Sequence, residues 1–157
     1  MPGASPTRKA TGYAALQLSW GVGTLLGLAV LPRLSPRVNA GRIILSGWAL
    51  WGAGTCGLGL TQSAEVAALL VGASGIGNML AVIPSITLVQ QLTPADLRGR
   101  VFGVRYSLAF LSLAIASALT GSLADVTGVE ALSLAMGGTA VAFVGLGFLW
   151  SDLREAV

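Results

Sequence analysis

The amino-acid sequence predicts an all-α integral membrane protein, a polytopic bundle of about five transmembrane helices. Of its 157 residues, 54% are hydrophobic and only 10% are charged, and the mean hydropathy is +0.81. A soluble domain carries about 25% charged residues, because water must wet its surface. So few charges cannot cover a water-soluble globule, and we expect lipid to surround most of the apolar side chains.

Five apolar stretches reach membrane-spanning length. About 20 residues cross ~30 Å of hydrocarbon as a helix, and backbone groups in lipid need hydrogen-bond partners within their own segment. The predicted spans are 13–31, 43–60, 66–89, 101–123 and 131–150. They make up a predicted transmembrane bundle over residues 12–150, between a polar N-terminal segment, 1–11, and a short cytoplasmic tail, 151–157.

The connections between the spans are short and carry helix-ending or helix-starting residues. Pro32 and Pro36 predict the end of the first helix, because proline does not fit a helix interior. Ser63 predicts the N-cap of the third helix. The segment 93–96 combines a threonine cap, a proline and an acid three residues after the cap, which predicts that the fourth helix begins near Pro94.

The basic residues alternate between the two ends of the predicted bundle. Two connections are basic, whereas the turns near Gln62 and Gly128 hold no lysine or arginine; the basic residues are Arg33, Arg37, Arg42, Arg98, Arg100 and Arg105. Because cytoplasmic loops are enriched in such residues, we predict that these connections and the C-terminus are cytoplasmic, in the plasma (inner) membrane. Arg8 and Lys9 would then start the chain outside, which predicts that further helices normally precede this sequence.

Small residues crowd the predicted spans. Gly23 and Gly27 form one small-xxx-small pair, and further glycines follow in the second and third spans. Helices in lipid associate through close backbone packing at such faces, so the glycines indicate a packed bundle rather than separate anchors. Pro84 predicts a kink in the third helix.

Several classes of function have no candidate residues. The sequence has no histidine, which removes histidine-based nucleophile pairs and the usual zinc sites, and Cys56 is the only cysteine. The glycine pattern of residues 52–57 lies inside a span, so it favours helix packing over nucleotide binding. Every carboxylate lies at or beyond a helix end. We therefore expect no enzyme activity, no metal, no cofactor and no nucleic-acid partner.

Polar side chains inside the spans are the candidates for a solute site. Asn78 is the strongest, because an unpaired amide in hydrocarbon costs several kcal/mol and must face a helix partner or a watered cavity. Gln17 and Tyr106 are further candidates. Both interpretations, contact between helices and cavity lining, stay open for these residues. For the basic cluster of the fourth helix, in which Asp96 and Arg100 are spaced to pair, the alternatives are anchoring at the membrane surface and a cytoplasmic gate.

One part of the sequence is similar to a known family. Gly75-Ile76-Gly77-Asn78, Pro84 and above all the segment 92–103, which contains Asp96, Arg98, Gly99 and Arg100, resemble the connection between the tenth and eleventh helices of major facilitator superfamily transporters. The resemblance is closest to bacterial drug, macrolide or siderophore exporters. It implies that the five spans are helices eight to twelve of twelve.

The resemblance also implies roles for residues. The segment holding Arg33, Arg37 and Arg42 lies where the family has a basic loop motif, although the aspartate of that motif has no counterpart here. The first, third and fourth helices would face the solute cavity, which favours Gln17, Asn78 and Tyr106. Transport in this family needs two halves around a central site, so the resemblance implies a missing N-terminal half or a partner subunit.

The sequence thus leads to two hypotheses. The first is efflux-type secondary transport of a small solute by a truncated C-terminal portion of a transporter, with the lipid bilayer, the solute and the missing half as partners. The alternative is a non-transporting membrane helix-bundle scaffold or an inactive remnant.

Overall fold

The computed structural model describes residues 6–149, with the side chains of 11–121, 123 and 127–147. Within these residues the chain is helical and contains no strand. The five helices are α1 (Pro6–Leu34), α2 (Ala40–Leu60), α3 (Ala64–Leu92), α4 (Arg98–Thr127) and α5 (Val129–Leu149). Each contains a stretch that is long and apolar enough to cross a membrane. The predicted all-α bundle of five spans is confirmed.

The first helix is longer at both ends than its apolar stretch. It begins at Pro6, so residues 6–11, predicted as a polar segment outside the bundle, belong to the helix. It also continues through Pro32 and ends at Leu34. The backbone N–H groups of Ser35 and Val38 still bond to α1 carbonyl oxygens, each at 3.0 Å, so the last turn holds even though proline donates no hydrogen bond. The predicted tail, 151–157, lies outside the described residues.

The prediction that the fourth helix begins near Pro94 is wrong. The Thr93 hydroxyl donates to the Val89 carbonyl oxygen at 2.6 Å, so Thr93 ends α3 and does not cap α4. A turn follows, closed by the Leu97 N–H bonding to the Pro94 oxygen at 3.1 Å. Because the hydroxyl serves the helix before it, the capping pattern in the sequence does not form, and α4 begins only at Arg98.

The turns before α3 and before α5 each depend on one residue, Ser63 and Gly128. The Ser63 hydroxyl accepts a hydrogen bond from the Val66 N–H at 3.5 Å, and Glu65 lies in the first turn of α3, which confirms the predicted N-cap. Gly128 alone joins α4 to α5, with φ at +82°. That backbone conformation is open to glycine and strained for most other residues.

Glycines bring three pairs of helices into backbone contact. A Cβ added to Gly27 of α1 would lie 2.9 Å from the Ile76 oxygen of α3, and one added to Gly77 of α3 would lie 2.7 Å from the Trp51 nitrogen of α2. Gly137 of α5 lies as close to the backbone of α2. These contacts confirm the predicted packing through small residues. The block of α1, α2, α3 and α5 that they hold together is called here the four-helix block.

Large apolar side chains point outward. Leu69 and Phe143 are each 74% exposed, whereas the buried apolar cluster among the described residues is small and contains Leu31, Ile43 and Leu80. Helix α4 is the extreme case, because none of its described side chains is buried. In water this surface would be very unfavourable, but hydrocarbon solvates it.

Candidate functional site

Asn78 occupies the centre of α3. It lies fourteen residues from both Ala64 and Leu92, so about 21 Å of helix separates it from either end. The side chain is half-buried, and it makes no hydrogen bond to any residue that the structure describes. The amide is therefore not used to join the described helices, and its donor and acceptor groups are free for another partner.

Arg105 links α4 to the same helix. Its Nη2 donates to the Ser85 hydroxyl oxygen at 3.0 Å, and Ser85 in turn donates to the Val82 carbonyl oxygen at 2.8 Å. Arg105 is half-buried, and its Nη1 atom is fully buried without a hydrogen-bond partner among the described residues. An arginine with an unfilled buried donor inside a span is costly.

Helical periodicity places Asn78 and Arg105 along one seam. Asn78 and Ser85 are seven residues apart, so they lie on one face of α3 at two neighbouring levels. Ser112 lies seven residues beyond Arg105 on α4, which runs antiparallel to α3. The bond between Arg105 and Ser85 joins the two faces at one level. Elsewhere α3 and α4 make few contacts, and Ser112, which the spacing puts at about the depth of Asn78, is exposed. We call Asn78, Ser85, Arg105 and Ser112 the α3–α4 polar seam.

The two other predicted cavity residues do not join this seam. Gly23 and Gly27 of α1 pack beside Gly72 and Ile76 of α3, so these helices run in the same direction. This register puts the exposed Gln17 near the first turn of α3, about 18 Å from Asn78 along the axis.

Tyr106 follows Arg105 directly, so it points about 100° away from it around α4. Its side chain is 46% exposed, and its ring lies beside that of Phe102 with centroids 6.1 Å apart. The structure therefore does not bring the three predicted cavity residues together.

The basic connections lie together at one end of the bundle, where α1 and α3 end and α2 and α4 begin. Arg33 donates through Nη1 to the Ala29 oxygen at 2.9 Å, and Arg37 to the Arg33 oxygen at 2.7 Å. Both arginines thus satisfy carbonyl groups at the C-terminus of α1, where a cation is also favoured by the helix dipole. Arg42 is exposed at the start of α2.

The segment before α4 is exposed as well. Arg98 donates through Nε to the Thr93 carbonyl oxygen at 3.1 Å, which ties the start of α4 to the end of α3. A Cβ at Gly99 would meet nothing within 4 Å. Asp96 and Arg100 form no ion pair, so that predicted pairing is wrong. Asp96 lies in the turn rather than in the helix, so the two residues lack the helical spacing that would bring them together.

Pro84 lies inside α3 and is buried. It borders a cavity of about 380 Å³ among α1, α2 and α3, together with Leu31, Ile43 and Gln91. A second groove, of about 670 Å³, runs along α1 and α3 near Ser19 and Glu65. Neither is lined by Asn78 or Arg105, so both lie away from the polar seam.

The match to known families decides what kind of bundle this is. Residues 3–157 match the family model described as Major Facilitator Superfamily. The chain belongs to this superfamily. No curated protein and no solved structure matches the chain significantly. Members of the superfamily are secondary transporters of small solutes, so the polar seam is part of a multi-pass membrane transporter.

Among the residues that the structure describes, no three histidine, cysteine, aspartate or glutamate side chains are placed to hold a metal ion. Cys56 is half-buried, and its Sγ lies 3.9 Å from the Leu134 carbonyl oxygen of α5.

Sequence reasoning singled out Asn78 but missed how the other members of the seam combine. By its position in the sequence Arg105 belongs with the basic residues of the connection before α4, and the sequence around Ser85 does not distinguish it from the other serines of the spans. The sequence does contain a pattern that could have indicated the seam. Asn78 and Ser85 are seven residues apart on one helix, Arg105 and Ser112 are seven apart on the next, and a short turn joins the two helices. Only the contact between Arg105 and Ser85 shows that these two faces meet.

Proposed function

We propose that this chain forms about helices eight to twelve of an efflux-type transporter that moves small lipophilic or siderophore-like solutes outward. Asn78 carries the proposal. A half-buried amide at the centre of a spanning helix, with no hydrogen bond to the described residues, is the group expected to contact a solute rather than another helix. Gln17 and Tyr106 are proposed to line the same path at other depths.

The direction of transport rests on the segment 92–103. Its similarity to bacterial drug, macrolide or siderophore exporters supports export. In this proposal Asp96, Arg98, Gly99 and Arg100, together with Arg33, Arg37 and Arg42, form the cytoplasmic gate. The Arg98 bond to the end of α3 supports the gate, because it couples the position of α4 to that of its neighbour.

The distribution of arginines supports an orientation. The arginines whose side chains the structure describes lie at or near one end of the bundle, whereas the turns at the other end, 61–63 and Gly128, have none. Arg8, at the start of α1, lies at that other end. By the positive-inside rule the arginine-bearing end is cytoplasmic. We therefore propose a multi-pass protein of the plasma (inner) membrane with its C-terminus in the cytoplasm.

The exposure of α4 supports a further membrane partner. This helix touches α5 and, through Arg105, α3, but no described side chain of it is buried. Transporters of this kind bind solutes between two halves. We propose that an N-terminal half, or a partner subunit, covers α4 and completes the solute path.

An efflux assay tests the proposal. Cells without their major drug exporters would be loaded with the cation ethidium or with the anion carboxyfluorescein. The loss of fluorescence would be followed with this chain expressed alone and with any membrane segment encoded upstream. We expect efflux above vector controls with the completed protein. Asn78→Leu is expected to slow efflux at least tenfold at equal membrane abundance, whereas Met79→Leu, on the neighbouring face, leaves it unchanged. Absence of efflux from both forms would favour a non-transporting scaffold or remnant.

A further inference from the structure

Arg105 has an unfilled hydrogen-bonding capacity that its surroundings do not explain. Its guanidinium donates to Ser85 at 3.0 Å, while Nη1 is buried without a partner in the described part of the chain. A guanidinium offers several N–H donors in a flat fork and stays charged at any physiological pH. Among the described residues, only one of these donors has an acceptor.

Anchoring at the membrane surface does not account for this geometry. Arg105 lies seven residues, or about 10 Å, beyond the start of α4. A snorkelling arginine extends its head group back toward water. The acceptor Ser85, however, also lies seven residues from its helix end, at Leu92. The guanidinium therefore extends sideways into the seam at its own depth, not upward to the interface.

No carboxylate with a described side chain neutralises this charge. Glu65 and Glu130 lie at the other end of the bundle, at the starts of α3 and α5. Asp96 lies in the turn before α4 and forms no ion pair. A cation that is buried in part at this depth is expensive unless an opposite charge pairs with it. The seam thus provides a positive charge, directed donors and no anion of its own.

We propose that Arg105 binds an oxyanion, the carboxylate or phosphate group of an amphipathic molecule, at the α3–α4 polar seam. The flat fork suits such a group, which accepts two parallel N–H bonds. Ser85 holds the guanidinium in place as a positioning residue, and Asn78 and Ser112, two turns deeper, face the rest of the molecule. This inference deepens the proposed transport function, on which it rests, by naming an anionic class of solute.

Binding to the purified full chain in a nonionic maltoside detergent tests the inference. The probe is 2-naphthoate, titrated by calorimetry at pH 7, and its neutral analogue 2-naphthamide is the matched ligand control. We expect the wild-type chain to prefer the carboxylate about tenfold to hundredfold, the range that a charged hydrogen bond supports. This comparison needs no variant, so it holds even if a substitution disturbs folding.

Two arginine variants locate the site. Arg105→Gln is expected to remove the preference for 2-naphthoate, and Arg8→Gln, which removes the same charge at the start of α1, is expected to retain it. Equal affinities for the two probes in wild type, or an unchanged preference in Arg105→Gln, would overturn the inference. Loss of the preference in both variants would also overturn it, because only the overall charge would then matter.

A competition arm identifies the source of the anion. Displacement of 2-naphthoate by short-chain phosphatidylglycerol at comparable concentration assigns the site to a lipid headgroup, and absence of displacement assigns it to a solute; both results support an oxyanion site. Efflux of the cation ethidium and of the anion carboxyfluorescein reports the proposed transport function separately. Ethidium efflux without a carboxylate preference overturns this inference alone, whereas a carboxylate preference without efflux of either dye overturns only the transport proposal.

Discussion

Gly47 and Gly77 meet backbone to backbone across the interface of α2 and α3. A Cβ added to either glycine would lie 2.6 Å from the carbonyl oxygen of the other. Backbone atoms cannot move aside as the end of a flexible side chain can, so this contact requires that both residues be glycine.

Gly77→Ala is therefore expected to destabilise the bundle by about 1–3 kcal/mol, the usual cost of overpacking. The measurement is the thermal midpoint of the detergent-solubilised chain. Gly138→Ala in α5 is the matched control, because a Cβ there meets nothing within 4 Å; alanine favours a helix more than glycine does, so the midpoint stays the same or rises. A Gly77→Ala protein as stable as wild type would contradict the packing described here.

Asn78→Leu is expected to keep or raise the thermal midpoint, because Asn78 makes no hydrogen bond to the described residues. An asparagine that joined two helices would instead cost about 1 kcal/mol or more when replaced. The same thermal measurement, with Ser74→Ala as a comparison, separates the two cases. Ser74 is buried and donates to the Leu70 oxygen at 2.9 Å. A clear loss of stability in Asn78→Leu would show that the amide holds helices together.

Ser85→Ala is expected to cost about 1–3 kcal/mol in the absence of an added anion, because it removes the only acceptor that Arg105 has in the described chain. The double variant Ser85→Ala with Arg105→Leu is expected to recover most of that loss, since it removes the unpaired charge as well. A double-mutant cycle of thermal midpoints measures the coupling. Additive losses would indicate that the two side chains do not interact.

The proposed orientation predicts a pattern of chemical labelling. In a Cys56→Ser background, Asn39→Cys places a thiol in the arginine-bearing connection, and Gln62→Cys places one in the turn at the opposite end. Both positions are exposed, and Asn39 makes no capping bond. In intact cells a membrane-impermeant maleimide is expected to label Gln62→Cys but not Asn39→Cys, and lysis is expected to expose both. The reverse pattern would invert the topology.

Much of the architecture follows from composition and small residues. The apolar stretches predicted five spanning helices, because backbone groups in lipid must form hydrogen bonds within their own segment. The glycines predicted close packing, because helices in lipid associate through small residues. The Ser63 cap was also predictable: among the described residues its hydroxyl donates no bond to the helix before it, and it accepts from Val66. The Thr93 cap was not, because the same hydroxyl bonds backward to Val89, and a sequence pattern does not show in which direction a side chain bonds.

The site was predictable only in part. Asn78 could be singled out because an amide at mid-span is rare and costly. The pairing of Arg105 with Ser85 depends on how α3 and α4 are rotated about their axes, and apolar stretches without a clear polar face do not determine that rotation. The depth of Gln17 depends likewise on the register of α1 against α3, which Gly23 and Gly72 set by contact.

Because α4 is exposed and the four-helix block is closely packed, the two parts of the chain tolerate substitutions differently. Where backbones touch, as at Gly47 and Gly77, almost any replacement adds atoms that have no room. Along α4, a Cβ at Gly103 or Gly121 would meet nothing within 4 Å, so many apolar replacements keep the folded shape of the chain itself. A saturation mutagenesis screen scored for abundance alone would thus show intolerant glycine positions in α1, α2 and α3 beside a permissive α4. Positions of α4 that fail only when activity is scored would trace its contacts with the proposed N-terminal half or partner subunit.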